Sequence, residues 1–130
     1  MNILRRRLLL FLFALVLGFV PLTALQAQDD DKYAAIAYSP STGKWGYGCN
    51  YSTKAEALDR AKSECGEDDA RTNWCKNAWI SLAISKKSKG GWGSAWGETR
   101  AEAEAAAKKE CKARNPDAHV LVTISATCEK

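Results

Sequence analysis

The sequence predicts an α+β domain made of two tandem β-β-α units and a C-terminal strand, with helices packed on an antiparallel sheet and disulfides holding the whole. Three observations lead there. Shifting the chain on itself by 46 residues aligns "IAYS" (36–39) with "LAIS" (82–85) and "TKAEALDRAKSEC" (53–65) with "TRAEAEAAAKKEC" (99–111), identical at ten of the seventeen positions. Each aligned block joins a short aliphatic run to an alanine-rich stretch of helical period. Five cysteines, Cys49, Cys65, Cys75, Cys111 and Cys128, all fall in the repeated part.

The elements follow in order. "YAAIAYS" is short, aromatic and aliphatic, and reads as a strand; "PSTG" is turn chemistry. "KWGYGCNY" alternates with glycine, as a strand does where it bulges or meets other backbone closely. Thr53 opens the first helix as a capping box with Glu56, and Thr99 opens the second with Glu102. On these helices Ala57, Ala61 and Cys65, and again Ala103, Ala107 and Cys111, form i, i+4, i+8 lines of small residues suited to close packing on a sheet. The opposite faces carry Glu56 to Arg60 and Glu104 to Lys108 at i, i+4, which fits a solvated surface. "CKNAWISLAIS" reads equally as one long strand or as two with a kink. "AWISLAIS", the turn "KKSKGG" and "WGSAW" repeat the first unit, "NPDA" stops the second helix, and "HVLVTISATC" alternates as a last strand. The units are expected at about 33–80 and 81–130.

The repeat suggests a cysteine pairing. Cys65 and Cys111 each end a helix and each precedes a cysteine of the next strand, so Cys65–Cys75 and Cys111–Cys128 are expected, leaving Cys49 as the free thiol. Each bridge would close a short loop worth about 3 kcal/mol on the loop-entropy model. Pairings that cross the units stay open, since sequence alone does not fix connectivity.

The succession "YAAIAYSPSTGKWGYGCNYSTKAEALDRAKSEC", "LAIS", "GGWGSAWGETRAEAEAAAKKEC" and a following Cys resembles a family of small exported bacterial proteins, a domain of unknown function with tandem β-β-α units. Its pattern is an A-[IL]-A-[FY]-S strand, a G-x-[WY]-G hairpin and an A-x-x-A-x-x-x-C helix, and the likeness spans about residues 33–128. The resemblance implies export and this fold; it implies no activity.

The first 27 residues read as a cleaved signal peptide. "MNILRRR" is a basic start, "LLLFLFALVLGFV" an apolar stretch short of a membrane span, and Ala27 a small residue at the cut. The mature chain is then expected to be periplasmic or secreted, not membrane-bound, with residues 28–32 as a flexible lead-in. Removal of Arg5, Arg6 and Arg7 takes the 19 basic residues to 16, against 15 acidic ones, so the formal +4 falls to +1. A near-neutral domain lacks the concentrated basic footprint of nucleic-acid binding.

Little in the chain points to catalysis. His119 is the single histidine, with no partner fixed by spacing, whereas nucleophilic and acid–base chemistry need a second positioned group. A zinc site of His119, Cys111 and Cys128 competes with the disulfides an oxidising compartment favours. The acidic runs "QDDDK" and "EDDA" read as solvated, and no phosphate-cradling loop is present. No metal and no cofactor is expected, and the chain is read as a non-enzyme. The aromatics remain. Five tryptophans can simply supply bulk to a core with alanine-rich helices, but Trp45, Tyr47, Trp92 and Trp96 sit in glycine-flanked hairpins and are the candidate binding residues. Trp96 is the strongest, because it aligns with Cys49 or Asn50 and has no aromatic counterpart in the first unit. The expected function is a binding module for a protein partner in the envelope or outside the cell, of inhibitor or accessory type. A glycan or cell-wall binder using the same tryptophans is the first alternative, and a small envelope hydrolase the second.

Overall fold

The computed structural model describes residues 30–87, 91–113 and 115–130, and the expected signal segment 1–27 lies outside them. The elements are β1 (Tyr33–Tyr38), β2 (Trp45–Tyr51), α1 (Lys54–Cys65), β3 (Arg71–Lys76), β4 (Trp79–Ile84), β5 (Trp92–Gly97), α2 (Arg100–Lys112) and β6 (His119–Ser125). The stretch read as one strand or two is two. Asn77, in the left-handed region at φ 49°, breaks it, and the halves join different sheets. The repeating unit is therefore β-β-α-β, and the units meet between β3 and β4.

Each unit folds its strands into one antiparallel three-stranded sheet, in the order β2-β1-β3 and β5-β4-β6. The expected α+β class and tandem units are present, built on two sheets. Alternation along the strands sorts side chains into layers. Ile36 and Tyr38 of β1 meet Ile80 and Leu82 of β4 and Ile124 of β6 in a core between the sheets. Ala35 and Ala37, on the other face of β1, meet Ala57, Ala61 and Cys65 of α1. Ala83 of β4 meets Ala107 and Cys111 of α2 in the same way. The result is four layers, helix on sheet on sheet on helix, with large side chains in the middle and small ones beneath each helix.

The doubled glycine–tryptophan phrase now has a physical cause. Trp45, Tyr47 and Cys49 of β2, and Trp92 of β5, pack against the central core. The glycines between them face the helices. A Cβ on Gly46 would lie 2.5 Å from the Cys65 backbone nitrogen, and one on Gly93 2.7 Å from the Ala107 carbonyl oxygen, closer than any real side chain sits. Glycine lets each helix lie directly on its strand.

Both helices start where expected. The Thr53 and Thr99 hydroxyls accept from the Glu56 and Glu102 amides at 3.2 Å. Only α2 completes the reciprocal capping box, with the Glu102 carboxylate accepting from Thr99 N at 3.2 Å. At the end of the first strand of each unit lies a second duplicated device. The Ser39 hydroxyl donates to Asp69 at 2.6 Å, and the Ser85 hydroxyl to Asp117 at 2.5 Å. The same carboxylates accept from the backbone of Ser41, and of Lys86 and Lys87, so each aspartate ties a hairpin turn to the start of the unit's last strand.

The cysteine pairing differs from the expectation. The disulfide is Cys49–Cys128, with Cα atoms 5.3 Å apart, and Cys65, Cys75 and Cys111 are buried free thiols. The layers explain why. Cys65 lies under α1 and Cys75 faces the central core, so the sheet itself stands between them. Cys111 lies under α2 close to Gly93, whereas Cys128 follows Ser125, which pairs with Trp79 at the other end of β4. Cys49 is on the central face near the end of β2, where Asn50 N donates to Ala126 O at 2.7 Å and brings the tail alongside. The bridge thus crosses the units.

Candidate binding surface on strand β5

The four candidate aromatics do not form one cluster. Trp45 and Tyr47 stack with ring centroids 6.1 Å apart, and Trp92 packs on Tyr38 at 5.9 Å. Trp45 and Trp92 stand opposite Tyr38 and Ile84 at the far ends of β1 and β4, and both pack on the central core. Trp96 is different. It stands opposite Ile80 near the start of β4 and is 57% exposed, the most exposed of the large hydrophobic residues described.

Register shows how Trp96 came to lack a counterpart. In β5 the pairing with β4 runs without interruption from Trp92↔Ile84 to Gly97↔Trp79. In β2 the pairing slips between Ala35↔Gly48 and Tyr33↔Tyr51, so Cys49 and Asn50 together occupy the place that Trp96 holds alone. Asn50 absorbs the extra residue at φ 62°. At this position the first unit carries a bulge and a disulfide, and the second an exposed indole.

The two flanks of the sandwich differ accordingly. On one flank the disulfide and the Asn50–Ala126 hydrogen bond tie β2 to the tail beyond β6. On the other, β3 approaches β5, with Asn73 Nδ2 donating to Ser94 Oγ at 3.3 Å. This flank also bears Trp74, 37% exposed on the α1 side of β3, with Tyr33 at 6.2 Å and Lys54 Nζ 4.3 Å over its ring. Sequence reasoning passed over Trp74. The signal was its setting in "RTNWCK", too polar for a strand buried on both faces.

No grouping that would support catalysis comes together among the described residues. His119 starts β6 opposite Ile84, and its Nδ1 is buried with no hydrogen-bond partner among them. Burial pushes the Cys75 thiol up to about 11, and burial with the nearby Asp117 charge raises Cys111, so neither is poised as a nucleophile. Ser81 lies in a buried hydroxyl chain, 3.0 Å from Thr123, which donates to Glu104 at 2.9 Å; Glu104 is held by Arg100. That chain has a carboxylate but no base beside the serine. A cleft of about 230 Å³ lies between the unit ends, where Lys32, Trp79, Glu98, Ser125 and Glu129 contribute to its wall. Among the described residues no three His, Cys, Asp or Glu side chains gather as metal ligands, and no helix is long and apolar enough to cross a membrane.

Comparison with known proteins places this geometry in a family. The model of a domain of unknown function, DUF4189, matches residues 33–126, from the first residue of β1 to just past β6, and the chain belongs to that family. No curated protein and no solved structure matches it.

Proposed function

We propose that this DUF4189 chain is a non-enzymatic binding module that works outside the cytoplasm and recognises a protein partner at β5, with Trp96 as its anchor. The observation that carries the reading is the exposure of Trp96 on an edge strand, at a position where the pairing of the duplicated units differs. Large aromatics that a fold does not need to bury are the usual anchors of interfaces. Residence in the periplasm or outside the cell is supported by the basic and apolar leader and by the Cys49–Cys128 bridge, which suits an oxidising compartment. An inhibitor or accessory subunit fits a small, crosslinked domain whose most exposed aromatic stands on an edge strand. A glycan-binding role for the same indole is the competing reading.

The test is affinity capture from an envelope extract with the mature protein and with Trp96→Ala. The proposal expects one protein captured stoichiometrically by the wild type and lost by the variant at unchanged fold. Equal capture by both would remove Trp96 from the interface, and elution by soluble cell-wall glycan would transfer the site to sugar.

A further inference from the structure

Four strands lie at sheet edges, namely β2 and β3 in one sheet and β5 and β6 in the other. An exposed edge is a template for a further strand, and stable monomers blunt it with bulges, charges or proline. Three of the four are blunted here. β2 is bulged at Cys49–Asn50 and capped by the disulfide. β6 is irregular where Leu121 is looped out between Val120 and Val122. β3 begins with Arg71 and ends with Lys76. β5, "WGSAWG", has no charge, no proline and no register break, and it carries the most exposed tryptophan.

We propose that the occupant of this edge is a second copy of the same chain, paired antiparallel through β5 about a two-fold axis at Ser94. This rests on the reading of β5 as a binding edge and names its partner. A two-fold axis normal to a sheet keeps each face on its own side, so directly opposed residues must have the same parity in sequence. Centred on Ser94, the register sets Trp96 of each copy opposite Trp92 of the other, and Gly93 opposite Ala95. The central face of the seam then holds two cross-strand tryptophan pairs, among the more favourable cross-strand combinations. The helix face holds only small residues. Trp92 is half-buried in its own chain, which leaves it a flank for the incoming indole to cover. No charge on β5 opposes its own image. The same pairing through β3 would bring its cationic ends into a shared seam, and through β2 or β6 it would meet a bulge. The joined molecule has one continuous six-stranded sheet.

Sedimentation velocity on the mature, oxidised protein across a micromolar concentration series tests this. The expected result is a concentration-dependent dimer whose dissociation constant rises at least about 30-fold in Trp96→Lys. Trp96→Phe should restore most of the association, and Trp74→Lys on β3 should leave it unchanged. Far-UV circular dichroism and the unfolding midpoint establish that each variant is folded. A wild type that is monomeric throughout overturns the inference, as does a dimer indifferent to Trp96→Lys. A monomer that still captures an envelope protein through Trp96 overturns self-pairing and leaves the proposed function standing. A Trp96-dependent dimer that captures nothing else overturns the envelope partner and upholds the self-pairing.

Discussion

Replacing Gly93 by alanine adds one methyl group at a position where the structure leaves no room for it. The new Cβ would lie 2.7 Å from both the Ala107 carbonyl oxygen and the Glu110 Cβ, with the Cys111 amide nitrogen closer still. Two of these three atoms are backbone in the middle and end of α2, so no rotamer change relieves the contact. Either α2 lifts from the sheet or β5 bends away from it. Lifting α2 also loosens Ala107 and Cys111 from Ala83, the whole buried cluster of that layer. Overpacking of a well-filled interior costs about 1–3 kcal/mol, and the upper half of that range applies because the obstacle is rigid. For a domain of roughly 100 residues each kcal/mol moves the midpoint by about 4–8 °C, so Gly93→Ala should lower Tm by roughly 8–24 °C. Gly46→Ala, whose Cβ would lie 2.5 Å from the Cys65 amide nitrogen and 2.6 Å from the Ala61 carbonyl oxygen, should behave alike. Gly43 is the control, because a Cβ there meets nothing within 4 Å and only its φ of 75° opposes a side chain, at about 1–2 kcal/mol. Thermal and urea unfolding followed by tryptophan fluorescence measure all three. Midpoints for Gly46→Ala and Gly93→Ala within about 0.5 kcal/mol of wild type would refute direct helix-on-strand packing.

Thr99→Ala and Thr53→Ala each remove the hydroxyl that caps one backbone amide, while the bond from Thr99 N to the Glu102 carboxylate survives, so each should cost about 1 kcal/mol; urea midpoints measure both. Hydrogen bonds from Ser39 and Ser41, and from Ser85, hold the Asp69 and Asp117 carboxyls below the ordinary range. A depressed folded pKa gives stability that is present above the unfolded value near 4 and lost as pH falls through the folded value. Acid titration of stability should therefore show a falling limb below about pH 4 that is shallower in Asp69→Asn/Asp117→Asn. The Cys49–Cys128 bridge spans 79 positions of chain, so reduction or Cys49→Ser/Cys128→Ser should cost about 4–5 kcal/mol on the loop-entropy model, against no change on thiol blocking of the native fold. Trp92→Ala should cost about 2–3 kcal/mol, less than a fully buried tryptophan, while Trp96→Ala at low protein concentration stays within about 1 kcal/mol.

What could be read from the chain alone depended on whether the cause was local. Capping residues, helical alanine lines and glycine alternation act within a few residues, and α1, α2, β2 and β5 lie where those signals put them. The break at Asn77 was ambiguous, because a strand that changes sheets and one that merely bends share the same alternation. The second sheet was invisible for a related reason. A nearly unbroken apolar run such as YAAIAY or WISLAI shows that a strand has two covered faces without saying whether the cover is a helix or another sheet. The Ser–Asp ties were within reach. Ser39 recurs as Ser85, and Asp69-Ala70 recurs as Asp117-Ala118 before each unit's last strand, but the spacing differs by two residues and the pair escapes a rigid offset.

The disulfide marks the limit of reasoning from duplication. A repeat argues that equivalent residues do equivalent work, and for Cys65 and Cys111 that holds, since both lie buried under a helix as free thiols. A bridge across a pseudo-symmetric seam joins positions that are not equivalent, and nothing in either unit alone announces it. Cys49 sits at a bulge in the first unit, and Cys128 in the tail of the second, beyond its last strand and in the left-handed region at φ 70°. The position that Cys49 occupies in β2 is the one that Trp96 occupies in β5. One copy of the unit therefore uses that position to close its edge with a covalent bond. The other leaves the edge straight, uncharged and topped by an indole. An edge so left is either closed by something outside the chain or is a standing route to aggregation.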